Sequence, residues 1–77
     1  MDNWWVYIIE KGTFLYVGIT TDLANRMRQH GKSAPLYQER PMSKSDAVKR
    51  EKNLKGWNRK RKLELIEKAS SQEVSLP

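Results

Sequence analysis

The chain contains no cysteine, so neither a disulfide nor a thiolate metal site is open to it. It also has no apolar run near the ~18 to 20 residues that span a bilayer, and its opening, MDNWWVYII, lacks the basic flank of a secretory signal. Acidic residues are scarce: 9 Asp plus Glu stand against 15 Lys plus Arg, a formal net charge of +6. Internal repeats and low-complexity segments are absent. These absences leave the expectation of a cytoplasmic protein with no membrane partner, whose surface attracts polyanions. At 77 residues it should be one domain with a core of barely sufficient size.

What is present is ordered along the chain. WWVYIIE and TFLYVGIT are aromatic and β-branched and are separated by a turn-like KG, which predicts an antiparallel hairpin. Alternation puts Trp5, Tyr7 and Ile9 on one face and Trp4, Val6 and Ile8 on the other; Phe14, Tyr16 and Gly18 likewise oppose Leu15, Val17 and Ile19. Thr20 or Thr21 is then placed to cap a helix running to about His30, with Asp22 at its positive end and Gly31 as its stop. PLYQE is expected as a short third strand. Ser43 and Asp46 have capping-box spacing for a second helix that ends at Gly56, and Asn58 can cap a third with Leu63 and Ile66 on its buried side. The expected fold is thus α/β (α+β), a small antiparallel three-stranded sheet flanked by about three helices. Residues 1–69 form the domain, and the aperiodic residues 70–77 are expected to fray.

Ala47, Glu51 and Leu54 fall on one stripe of the second helix, which sets a carboxylate beside apolar positions where it needs a cation or polar partner. Between 49 and 62, KREKNLKGWNRKRK holds eight of the fifteen basic residues with one acid and one tryptophan. Each residue has a plain explanation when taken alone. Tyr7 and Tyr16 can be strand aromatics, Gly18 a strand end, Arg26 a partner for Asp22, and His30 a helix end. Glu51 can pair with Lys55, and Trp57 can pack over the sheet.

Together they resemble a known signature. VYI at 6–8 and YVG at 16–18, with Arg26 ten residues after Tyr16, His30 four beyond it and Glu51 on a later helix, are similar to the GIY-YIG nuclease superfamily. The phrase YVGITTDLANRMRQH resembles its small single-domain bacterial branch, and the likeness extends over roughly residues 4–68. The chain departs from relatives in a shorter connection after His30 and in having Leu63 where some larger members carry an asparagine.

The resemblance implies divalent-metal-dependent hydrolysis of phosphodiester bonds in DNA or a related nucleic acid. Tyr7 is then the candidate base or water-positioning phenol, although an ordinary phenol pKa of ~10 makes it a poor base unless a cation helps. Tyr16 would touch phosphate or nucleophile, Arg26 would clamp phosphate oxygens, and His30 would assist Tyr7 or donate to phosphate. Glu51 would hold one Mg²⁺ or Mn²⁺. Gly18 would allow close approach, and Lys49, Arg50, Lys52, Lys55, Trp57 and Arg59 are the candidate nucleic-acid contacts, backbone-directed and weakly sequence-selective. Without added domains, a homodimer, a recruiting partner protein or a distorted substrate would be needed for efficient action. The alternative is a catalytically weak nucleic-acid-binding module on the same fold, with a protein-interaction domain a more distant third.

Overall fold

A computed structural model describes residues 2–74. Strands β1 (Trp4–Lys11) and β2 (Phe14–Thr20) are followed by helix α1 (Leu23–Gln29), strand β3 (Tyr37–Met42), and helices α2 (Lys44–Lys55) and α3 (Arg59–Val74). The sheet is antiparallel with order β2-β1-β3. The expected α+β class, with three strands and three helices, is therefore the observed one.

The hairpin closes through Gly12 and Thr13. Gly12 has φ +63° while among the described residues no non-glycine has positive φ, the signature of a type II′ turn with glycine at its first central position. That turn fixes the register, pairing Lys11 with Phe14, Ile9 with Tyr16 and Tyr7 with Gly18. Alternation then divides the sheet as the sequence predicts. Val6, Ile8, Leu15 and Val17 meet Ala47 and Leu54 of α2 on one face, where Trp57, Leu65 and Ile66 join them. Tyr7 and Ile9 meet Met27 and Leu23 of α1 on the other, together with Tyr16. Each fully buried aliphatic chain contributes at most about 1.5–3 kcal/mol by burial.

Four details differ from expectation. The cap of α1 is Asp22, not Thr20 or Thr21: its carboxylate accepts from the Asn25 amide at 3.1 Å, and Thr20 Oγ1 instead accepts from the Asp22 amide, turning the chain out of β2. Strand β3 begins two residues later than PLYQE and continues through Pro41. It can do so because it is an edge strand, and because pairing slips between Trp4–Met42 and Val6–Glu39, a bulge beside the missing proline N–H. Leu63 is 41% exposed, and Leu65 takes the core position beside Ile66. Helix α3 also continues past Ala69 to Val74; the rest of the expected tail, 75–77, lies outside the described residues.

Two caps follow the sequence closely. Ser43 Oγ accepts from the Asp46 amide at 3.2 Å, and Asn58 Oδ1 accepts from the Arg61 amide at 2.8 Å. Helix α1 ends in a Schellman pattern, with Lys32 N–H bonded to Met27 C=O, Gly31 N–H to Arg28 C=O, and Gly31 at φ +73°.

Candidate active site

Tyr7 is wholly buried in the α1 face of the sheet. Its ring runs across to β2 and ends above Gly18, where the missing side chain leaves the room: a Cβ at position 18 would lie 2.6 Å from the Tyr7 hydroxyl and 2.7 Å from Cζ. Glycine is thus required here for the phenol to pass, a reason distinct from its usual backbone freedom. The hydroxyl then lies 3.2 Å from His30 Nε2. The Schellman turn places His30 as the C-cap of α1, one turn beyond Arg26, which bonds the His30 amide through its carbonyl.

Tyr16 completes an aromatic triangle, with ring centroids 6.3 Å from Tyr7 and 5.7 Å from His30, and with Tyr7 and His30 6.1 Å apart. Lys11 Nζ stands 5.0 Å from the Tyr16 ring centroid. The electrostatics act on both members of the hydrogen bond. Burial pushes the Tyr7 phenol above its ordinary value, as do Tyr16 and, more weakly, the Glu51 carboxylate, while the Arg26 guanidinium pulls it down. Desolvation pushes His30 below the usual histidine range, reinforced by the charges of Lys11, Arg26 and Lys32. Near pH 7 the pair is a neutral phenol and a neutral imidazole, in which the O–H donates to Nε2 when Nδ1 carries the proton.

Glu51 stands on α2 at the margin of that helix's buried stripe, and its charge is felt at the Tyr7 phenol. Its Oε2 is 3.4 Å from Lys55 Nζ, and its side chain is 21% exposed. So the pairing with Lys55 is formed, and it leaves the carboxylate partly open to solvent. Among the described residues no three His, Asp or Glu side chains gather. A divalent ion at Glu51 would therefore be held by one carboxylate, with water and substrate oxygens for the rest, a donor set that suits Mg²⁺, which dehydrates reluctantly.

The structure thus brings Tyr7, Tyr16, Gly18, Arg26 and His30 together, with Glu51 within electrostatic reach of the Tyr7 phenol. The candidate nucleic-acid contacts are dispersed. Arg50 Nε donates to both oxygens of Glu39, at 3.0 and 2.8 Å, and Glu39 also accepts from the Tyr37 hydroxyl at 2.8 Å, tying α2 to the edge strand. Arg59 donates to the Thr13 carbonyl at 3.0 Å and lies 3.8 Å from Glu10, tying α3 to the hairpin turn. Lys49, Lys52 and Trp57 line a groove elsewhere on α2. Lys11 was not singled out by sequence reasoning, though strand alternation carries the signal: it continues the series Trp5, Tyr7, Ile9 onto the tyrosine face. Lys32, just past the Schellman glycine, has no comparable signal.

A family model described as the GIY-YIG catalytic domain matches residues 3–40, which hold Tyr7, Tyr16, Gly18, Arg26 and His30 but not Glu51. The chain is 38% identical to a UPF0213 protein of Staphylococcus haemolyticus, over 87% of this chain and 98% of that one. A UPF0213 protein of Desulfotalea psychrophila is 37% identical, over 94% of this chain and 77% of that one. Another from Staphylococcus aureus strain Mu50 is 35% identical, over 86% and 96%. No solved structure matches the chain significantly. No helix among the described residues is long and apolar enough to cross a membrane. Two tyrosines side by side on one face of a hairpin, the matched domain and relatives of nearly equal length lead to one assignment: the chain belongs to the GIY-YIG family, among its small bacterial UPF0213 members.

Proposed function

We propose that this protein is a divalent-metal-dependent endonuclease acting on DNA or a related nucleic acid with little sequence preference. The observation that carries the reading is the Tyr7 hydroxyl held 3.2 Å from a depressed-pKa His30 beside Arg26. A raised phenol pKa makes Tyr7 a poor base by itself, but a neutral imidazole on its hydroxyl supplies the missing acceptor. As water attacks phosphorus, its proton passes to the Tyr7 oxygen while the Tyr7 proton passes to His30 Nε2. The phosphorus–oxygen bond to the departing nucleoside then breaks, and that oxygen takes a proton from solvent. Arg26 stabilises the charge growing on the non-bridging oxygens, with Tyr16 and Lys11 bordering the same space. Glu51 is the residue that would hold Mg²⁺ or Mn²⁺, and the ion would add electrostatic stabilisation of the phosphate.

The test is cleavage of labelled single-stranded, duplex, flapped and branched DNA, and of RNA, with Mg²⁺ or Mn²⁺ and with chelator. Tyr7→Phe should lower the rate at least about 100-fold, as loss of a proton-transfer group does. Glu51→Ala should abolish the metal-dependent part. Metal-dependent cutting that survives both substitutions would remove these residues from the mechanism. Salt-sensitive binding without cutting by the wild type would favour a binding module on the same fold.

A further inference from the structure

We infer that the outer face of α2, together with the start of α3, is a second nucleic-acid contact, separate from the tyrosine site and selective for an unpaired strand. An open groove of about 490 Å³ there is lined by Lys49, Lys52, Asn53, Gly56 and Trp57. The first four recur at helical spacing on one stripe. At 3.6 residues per turn that stripe lies roughly 160° around α2 from buried Ala47 and Leu54, and roughly 150° from Glu51. A phosphate at the tyrosines therefore cannot be the one in this groove.

Two features of the groove indicate its ligand. The first is uncommitted positive charge: among the described residues the three ion pairs engage Arg50, Lys55 and Arg59, and neither Lys49 nor Lys52. The carboxy-terminal end of α2 is the negative end of the helix dipole, so these lysines, and not the helix, must hold a phosphate. The second, at the groove's border, is a guanidinium set against the ring of Trp57. The Arg61 guanidinium lies 3.8 Å from the Trp57 ring centroid, with the Arg50 guanidinium 5.5 Å away. A free base can lie on such a cationic plane while its backbone runs along the lysines, whereas the bases of a duplex are already stacked.

The test is binding measured by fluorescence anisotropy with chelator present, so that it does not depend on cleavage. The probes are a labelled single strand and a labelled hairpin duplex. Lys49→Glu/Lys52→Glu should weaken the single strand about tenfold or more, and Arg61→Ala should weaken it about tenfold. Both should weaken the duplex at least about threefold less than the single strand, the shared part of the loss being the general charge effect. These lysines are exposed, and circular dichroism with a thermal melt checks that the variants fold. Unchanged single-strand binding in the lysine variant would overturn the inference. So would equal loss of both probes, which signals bulk charge alone, and so would displacement of the strand by poly-glutamate at matched charge, which signals an acidic protein partner.

Discussion

The Tyr7 phenol occupies the space that a methyl group at position 18 would need. Gly18→Ala should therefore cost about 1–3 kcal/mol, the usual penalty of overpacking, measured by urea denaturation. In a Tyr7→Phe background the cost should shrink without vanishing, because the hydroxyl contact goes while the ring carbon contact stays. His30 gives a pH signature. Its folded pKa lies below the unfolded value of about 6.5, so between the two the unfolded chain binds more protons and stability rises with pH. His30→Asn should flatten the stability curve across that window. The Tyr7 shift is upward, so above about pH 10 the unfolded phenol ionises first and stability falls as pH rises, a trend Tyr7→Phe should reduce.

At the scale of elements, the helix ends set where the chemistry stands. Gly31 at φ +73° lets α1 close on His30, and Gly31→Ala should cost about 1–2 kcal/mol in a denaturant melt. It should also slow cleavage through a displaced imidazole. Glu39→Gln weakens the clasp that Tyr37 and Arg50 make on β3. With Arg50 a third exposed, a loss of about 1–2 kcal/mol is expected, less than for a fully buried pair. Which elements exist, and which face each strand residue takes, was legible because strand alternation and the Ser43 and Asn58 caps are local signals. The extension of β3 past Glu39 was not, since Pro41 argues against a strand until a bulged edge accommodates it. Leu63 and Leu65 stand about 160° apart around α3, but Ile66 lies within about 100° of either, so the local pattern could not tell which leucine shares its buried side. At the site, alternation assigned Tyr7 and Tyr16 to faces, but whether those faces coincide depended on the register that the two-residue turn fixes. The reason for Gly18, and the ion pairs that occupy Arg50 and Arg59, depended on tertiary contacts that no local pattern carries.

For the molecule as a whole, the net charge of +6 should govern association. If about four phosphates are neutralised, affinity should fall roughly 100-fold between about 50 and 200 mM salt, read as the slope of log affinity on log salt. A near-zero slope would mean that phosphate contacts do not drive binding. The basic residues serve two purposes, since Arg50 and Arg59 hold elements together while Lys49 and Lys52 have no acidic partner among the described residues. The two-residue hairpin tip, Gly12 and Thr13, sets the alignment of everything on the tyrosine face. Surface turns ordinarily tolerate added length, and this one looks like a harmless place for a tag. One extra residue here would slide β2 by one position against β1, bring a residue with a side chain under the Tyr7 hydroxyl, and send Tyr16 to the opposite side of the sheet. The length of this solvent-facing turn therefore sets the geometry of the tyrosine cluster, although neither of its residues belongs to that cluster.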